Sequence, residues 1–173
     1  MNDYVALAGF LTGVPLSQVP NALRGTTNAS TVDNWPWIWK EYKQAGYTTM
    51  LVQDAPDIGA FQYRMLGFEK QPTDIYGRNF YRLAEEIIRN SEGHSKLCLN
   101  AEPKQMVYIN YIREFLDVYK NDPKFLFGML LEFSHEDNAG VCALFSLLYY
   151  NAKIQNFRKE RQKDFKLLGK MTT

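Results

Sequence analysis

The stretch Phe125-Leu-Phe-Gly-Met-Leu-Leu-Glu-Phe-Ser-His135-Glu-Asp137-Asn138 places an apolar run directly before one imidazole and two carboxylates. A continuous apolar run of this length is typical of a buried β-strand. Ligand sites in open α/β sheets gather at the carboxyl ends of the strands. His135, Glu136 and Asp137 therefore follow the strand where a ligand site is expected.

Two helix–strand units predict the fold class. A helix is expected from Asn34, the predicted N-cap, to Gly46, which supplies the stop. Residues 47–53 follow at once and are rich in strand formers. In the second unit, a helix opened by Pro103 precedes the strand that begins near Phe125. Helix followed by strand, occurring twice, indicates an α/β domain with a mostly parallel sheet.

The remaining segments have less distinctive patterns. We predict a helix or a buried strand over 4–11, an exposed loop over 24–34, a turn over 54–57, a short helix over 58–66, a loop over 72–77, a helix over 80–88 and a basic helix over 151–168. Within the loop, Asn28-Ala29-Ser30 is an acceptor sequence for N-linked glycosylation. This sequence has meaning only if the chain is secreted.

Composition indicates a globular domain. The chain has 173 residues, of which 46% are hydrophobic, and its net charge is +1. Such a balance gives no overall field that favours nucleic acid or a membrane surface. Residues 151–173 hold seven basic and two acidic residues, a pattern that suits either a solvated helix face or a polyanion contact, and we favour the solvated face.

The cysteines and the apolar segments do not decide a compartment. Cys98 and Cys142 either pair with each other or are separate buried thiols. The first eleven residues lack the basic region of a signal peptide. The apolar run 141–150 is shorter than the roughly 20 residues that a membrane-spanning helix needs, so no membrane insertion is expected.

His135 is the strongest candidate for a binding residue. Its imidazole is able to hydrogen-bond an anionic group or to bind a metal. The alternative is a loop histidine held by nearby carboxylates, and spacing alone favours this second interpretation. Asp54 and Asp57 are likewise interpreted as turn residues that bond their own backbone. The chain has no glycine-rich phosphate loop, no paired-cysteine zinc motif and no dinucleotide fingerprint.

Six motifs in order carry a resemblance to a known family. They are Leu11-Thr-Gly13, the segment Trp35–Thr49, the segment Asp54–Tyr63, Gly67-Phe68, the segment Pro72–Phe80 and the segment Phe125–Asn138, with Cys98 between the last two. This order resembles an uncharacterised animal family of sulfatase-like proteins, a domain of unknown function in the alkaline-phosphatase superfamily. The resemblance covers about residues 2–140, so we expect a partial sulfatase-like domain over 1–140 and a divergent apolar segment with a basic helical tail over 141–173.

The resemblance implies a partial α/β/α sandwich on a mostly parallel sheet, and an extracellular location. Active relatives of this kind hydrolyse phosphate or sulfate esters with two divalent metal ions and a hydroxyl or modified cysteine nucleophile. A histidine at the position of His135 contacts the anionic oxygens of the ester. We carry over that role to His135 alone, as a substrate-binding residue.

The departures from the family pattern imply a fragment without its own activity. The resemblance places the first metal-binding aspartate upstream of Met1 and the nucleophile near Asp3, where a hydroxyl residue is usual. The later Asp-His-Gly metal motif is missing. We therefore expect no catalytic residue and no bound metal in this chain, although intact relatives need divalent cations. A sheet that lacks strands also has an open edge, so self-association is expected.

Two other interpretations remain open. The first is a residual metal-dependent hydrolase whose site is improvised from acidic and imidazole groups, namely Asp3, Asp54, Asp57, His135 and Asp137. The second is a binding module that takes an anion at His135 or a polyanion on the basic tail.

Overall fold

The computed structural model describes residues 3–90, 98–99 and 102–132. The helices are α1 (Asp3–Thr12), α2 (Ile38–Gln44), α3 (Arg78–Asn90) and α4 (Lys104–Val118), and the strands are β1 (Thr48–Gln53), β2 (Ile75–Tyr76), β3 (Cys98–Leu99), β4 (Glu102–Pro103) and β5 (Lys124–Met129). Short 3₁₀ turns cover Leu16–Gln18 and Val32–Asn34. Among these residues, no helix has the length and apolar character needed to cross a membrane.

A parallel sheet organises the described residues, as predicted. Its strand order is β2-β1-β5, and both neighbours run parallel to β1. Six residues of β1 pair in register with β5, from Thr48 opposite Lys124 to Gln53 opposite Met129. The α/β fold class with a mostly parallel sheet is therefore confirmed. β3 and β4 form a separate antiparallel pair.

Side chains of β1 alternate between two apolar cores, one on each face of the sheet. Leu51 packs with the core that includes the three tryptophans and α1, whereas Met50 and Val52 pack with Tyr108 and the other buried side chains of α3 and α4. Successive residues of a strand point to opposite faces, so one strand serves both layers. Helices on both faces of the sheet give the layered arrangement that the resemblance implies.

The three tryptophans form a stack inside the first core. The ring centroids of Trp35 and Trp37 are 5.3 Å apart, and those of Trp37 and Trp39 are 4.6 Å apart. All three side chains are buried. The indole nitrogens of Trp35 and Trp37 donate to the backbone carbonyls of Pro20 and Val32. Their role is core packing.

Helix α2 begins later than the sequence predicts. It starts at Ile38, with Trp37 in extended backbone before it, so Asn34 is not its N-cap. Asn34 instead ends the preceding 3₁₀ turn. The predicted stop is correct, since Gly46 has φ +85°, a backbone conformation that favours glycine.

Two other predicted segments are wrong. Residues 58–66 form turns rather than a helix, and Met65 pairs with Leu23 in an isolated antiparallel bridge. The predicted loop 72–77 contains β2, which adds the third parallel strand. The segment 4–11, left open between helix and strand, is helical. In the loop 24–34, most residues are exposed as predicted, but Val32 is buried in the tryptophan core.

The strand predicted from Phe125 onward is less buried than expected. β5 spans Lys124–Met129, and five of its residues are half-buried while Gly128 is exposed. The fully buried strand is β1, whose residues after Thr48 are all buried. The predicted helices at 80–88 and after Pro103 are present as α3 and α4. The predicted basic helix 151–168 lies outside the described residues.

Two aspartates fasten loops to this framework through backbone amides. The carboxylate of Asp33 accepts hydrogen bonds from the amides of Glu69 and Lys70, both at 2.9 Å. The carboxylate of Asp74 accepts from the Thr49 amide at 3.0 Å, from the Thr49 hydroxyl at 2.8 Å and from Lys43 at 2.6 Å. Partial burial acts to raise the pKa of both carboxyls, but these bonds outweigh it, and both pKa values are lowered from 3.8.

The Asp74 bonds predict a measurable pH dependence of stability. A carboxyl with a lowered folded-state pKa stabilises the fold fully above its unfolded pKa, and this contribution is lost as the pH falls below about 3.8 toward the folded value. We expect Asp74→Asn to lower the free energy of unfolding by about 1 kcal/mol at pH 7, because the three hydrogen bonds to its carboxylate are weakened. The difference in free energy of unfolding between Asp74→Asn and the natural chain should shrink below pH 4. Urea unfolding at several pH values measures this.

The exposed carboxylate of Asp117, on α4, offers the matched control. Asp117→Asn should change stability by less than about 0.5 kcal/mol at every pH, as is usual for surface positions. An equal loss in both variants, or a loss in Asp74→Asn that persists at acid pH, would contradict the assigned role.

Candidate functional site at the carboxyl edge of the sheet

The carboxyl ends of β1 and β5 are joined by a buried aspartate. Asp54 directly follows β1 and is buried. Its amide donates to the Met129 carbonyl at 3.3 Å, and its Oδ1 accepts from the Leu131 amide at 2.6 Å. A carboxylate that accepts a backbone amide makes one of the stronger protein hydrogen bonds. The bond from Leu131 joins Asp54 to a residue 77 positions away, which the interpretation of Asp54 as a residue that bonds its own turn does not include.

Two tyrosines bring hydroxyl groups to the same edge. Tyr108, on α4, donates to the Val52 carbonyl at 3.3 Å. It reaches this position because residue 128 is glycine: a Cβ there would lie 2.8 Å from the Tyr108 oxygen. Tyr81, on α3, has a buried hydroxyl for which no partner exists among the described residues. Burial raises the pKa of both phenols, and Asp54 adds to the effect, so both stay protonated at neutral pH.

A small cavity lies beside Asp54 and Tyr81. Its volume is about 10 Å³, close to the minimum that holds one water molecule. The lining residues are Asp54, Tyr81, Ala84, Glu85, Leu99, Lys104 and Val107. Lys104 and Glu85 form an ion pair of 2.7 Å across it, with side chains 13% and 26% exposed.

The electrostatics of the cavity do not suit an anion. Among the described residues, its charged lining consists of the carboxylates of Asp54 and Glu85 and the ammonium of Lys104, so carboxylates outnumber the ammonium. Sulfate or phosphate entering it would meet like charge in a poorly solvated space. The cavity also has room for no group larger than about one water molecule. Nothing at this edge, within the described ranges, resembles a site for the reacting group of an ester.

The acidic residues considered as metal ligands have different surroundings. Asp57 lies on the surface with its side chain 60% exposed, 3.5 Å from Arg89 on α3. Asp54 is buried against β5, so the structure does not unite the two carboxylates in one site. In the part of the chain that is described, no group of three or more His, Cys, Asp and Glu side chains is arranged to hold a metal ion. The side chain of Asp3, and all of His135 and Asp137, lie outside the described residues.

The carboxyl end of β2 is also hydrogen-bonded. Tyr76 accepts a bond of 2.8 Å from the Gln62 side chain, and burial raises the pKa of its phenol to about 12. Gly77 follows, where a Cβ would lie 2.7 Å from a Val52 methyl carbon. This close approach lets α3 begin directly against β1.

Tyr81 is not evident from the sequence, because α3 carries apolar residues on more than one face. The helix is predicted from Phe80, Leu83, Ala84, Ile87 and Ile88. Three of these, Phe80, Leu83 and Ile87, are 43%, 57% and 50% exposed. The buried side chains are Tyr81, Ala84 and Ile88. Tyr81, Ala84 and Ile88 are spaced by three and four residues, which is the spacing of one helix face. Phe80, Leu83 and Ile87 have the same kind of spacing and are more hydrophobic, so the sequence does not show which face is buried.

The family of the chain follows from a match over most of its length. A model for proteins of unknown function, DUF229, matches residues 1–165. The chain belongs to the DUF229 family. The matched range continues past Gly140, and the domain boundary at Gly140 stays a prediction. No curated protein and no solved structure matches the chain.

Cys98 is a free, half-buried thiol in β3. Cys142, its predicted partner in one interpretation, lies outside the described residues. The apolar run 141–150 and His94 also lie outside them.

The unpartnered hydroxyl of Tyr81 predicts an unusual effect of a conservative change. Tyr81→Phe should leave the free energy of unfolding unchanged or raise it by up to about 1 kcal/mol, because a buried hydroxyl without a partner carries a desolvation cost. Tyr108→Phe is the matched variant and should lower it by about 0.5–1.5 kcal/mol, since its bond to Val52 is lost. Urea unfolding of the two proteins measures both values. A loss above about 1 kcal/mol in Tyr81→Phe would mean that its hydroxyl is bonded to a group in the cavity.

Proposed function

We propose that this DUF229 chain is part of a hydrolase-type domain of the sulfatase and phosphatase kind, which binds an anionic ester but does not hydrolyse it by itself. The observation that carries the proposal is the parallel order β2-β1-β5 with helices on both faces. In such sheets the ligand edge is the carboxyl edge. The six motifs that resemble sulfatase-like proteins supply the chemical class.

His135 is the residue proposed to contact the anionic oxygens. It follows the strand β5 and the Leu131 amide that Asp54 holds. An imidazole donates a hydrogen bond to an anion and carries positive charge when protonated. The cavity beside Tyr81 has the opposite electrostatic character, so the proposed ester contact does not involve it.

Two observations support the absence of independent turnover. Thr12, the first serine or threonine in the chain, donates its hydroxyl to the Ala8 carbonyl at 2.7 Å within α1. A hydroxyl nucleophile needs an adjacent base or metal instead. Asp54 has one carboxylate oxygen bonded to the β5 backbone, as described above. In active two-metal relatives the metals stabilise both the attacking and the departing oxygens, which demands several free carboxylate ligands.

An extracellular location belongs to the same proposal. It rests on the family resemblance, and divalent metal ions are expected for intact relatives rather than for this chain. Self-association through an open sheet edge also stays a proposal. Its support is that β5 pairs with β1 on one side and is half-exposed.

The catalytic part of the proposal predicts no turnover. The purified 173-residue chain, incubated with 4-nitrophenyl phosphate or 4-nitrophenyl sulfate and zinc, calcium or magnesium, should release no nitrophenol above the matched buffer with metal. Absorbance of the product measures this. Metal-dependent turnover that His135→Ala abolishes would reject the proposal, and stoichiometric bound metal would favour the residual hydrolase.

The binding part predicts a contrast between the two histidines of the chain. Titration with inorganic sulfate or phosphate should shift the imidazole proton resonances of His135, and His135→Ala should remove the binding. His94→Ala is the matched control and should leave binding unchanged, since His94 is the only other histidine. Equal binding by both variants, or none by the natural chain, would reject anion contact at His135.

A further inference from the structure

A glycosylation acceptor sequence lies in the loop that joins the first 3₁₀ turn to the second. Asn28-Ala29-Ser30 fits the pattern Asn-x-Ser/Thr with a residue other than proline in the middle. It is the only tripeptide of this kind in the chain. The pattern alone is weak, and its confirmation is a surface loop that presents the asparagine amide.

The structure supplies that context. Asn28 is exposed and has φ +59°, the left-handed region that asparagine tolerates better than most residues. Gly25, three residues earlier, has φ +76°. Residues 24–28 are all exposed, so Asn28 lies on the surface of the loop. Within the described ranges, no hydrogen bond occupies its carboxamide.

Backbone hydrogen bonds hold the loop on either side of Asn28, so a bulky group attached there would not disturb the core. The Ser30 amide donates to the Asn21 carbonyl at 2.8 Å, and the Arg24 amide donates to the Arg64 carbonyl at 2.9 Å. Val32 is buried in the tryptophan core just after the acceptor sequence. The Ser30 hydroxyl is exposed and makes only a 3.5 Å contact with the Thr31 carbonyl.

We propose that Asn28 is a site of N-linked glycosylation. In this reaction the carboxamide nitrogen of Asn28 attacks the anomeric carbon of an oligosaccharide carried on a polyprenyl diphosphate. A carbon–nitrogen bond forms as the bond from that carbon to the diphosphate oxygen breaks. The nitrogen loses a proton to a base of the transferase, and the lipid diphosphate leaves with the bonding electrons, so no oxidant or reductant is needed. The proposal rests on the extracellular location proposed above.

The experiment directs the chain into the secretory pathway. It therefore tests whether Asn28 accepts a glycan independently of where the natural protein is located. The full chain is expressed in animal cells behind a cleavable secretion leader, with a carboxyl-terminal tag that carries a second acceptor sequence. On gel electrophoresis the natural chain should show two increases in apparent mass, one for each glycan. Peptide-N-glycosidase should remove both of these mass shifts. Asn28→Gln and Ser30→Ala should each lose one shift and keep the tag shift.

Asn90→Gln is the matched control, because Asn90 is exposed but lies outside any acceptor sequence. It should keep both shifts. Glycosylation of the tag together with an unmodified Asn28 in the natural chain would overturn the proposal, since the tag proves entry into the secretory lumen. Retention of the endogenous protein in the cytosol would overturn the proposed extracellular location instead. The anion titrations test the proposed function separately, because they need no glycan.

Discussion

The packing of β1 is the constraint on which the rest of the described structure depends. Its six residues pair with β5 along their whole length, and its side chains enter two separate cores. Because the side-chain period of a strand is two, a shift of one residue would exchange the two sets and place Gln53 and Thr49 in the wrong layer. The register therefore fixes the positions of the tryptophan stack, of α3 and α4, and of the carboxyl edge where Asp54 sits.

Buried or partly buried aspartates perform the same task at three points in the described structure. Asp33, Asp54 and Asp74 each accept backbone amides from segments distant in sequence. A carboxylate in such a position accepts hydrogen bonds from backbone amides that have no partner in a sheet or helix. In exchange it loses part of its own contact with water. At Asp54 this structural role occupies one oxygen of the acid closest to the expected ligand edge. That oxygen is therefore committed to holding the end of β5 beside β1.

Sequence reasoning identified the elements whose pattern is long and uniform. β1, α3 and α4 are present close to their predicted positions, because strand formers or regular apolar spacing extend over several turns or pairs. β2 was missed because it has only two residues and follows Pro72 and Asp74, which are typical of turns. The supposed helix over 58–66 fails because Gly59 packs against the amide oxygens of Gln53 and Gln62, and Met65 pairs with Leu23.

Non-local pairing explains what local sequence does not predict about the site. The bond from Leu131 to Asp54 and the reach of Tyr108 to Val52 both join distant segments. Either apolar face of α3 would suit an amphipathic helix in isolation. Packing against the sheet determines that the face with Tyr81 is the buried one. The residues that build the cavity are therefore visible only once the sheet is assembled.

The distribution of aromatic residues makes the two layers of the sheet optically different. All three tryptophans of the chain lie in one core, whereas the opposite core contains tyrosine and phenylalanine rings among its buried side chains. Indole emission therefore reports on the layer formed with α1 and α2. Loosening of α3 and α4 alone would leave that emission nearly constant and appear mainly in tyrosine signals, so the two optical probes distinguish concerted melting from separation of the layers.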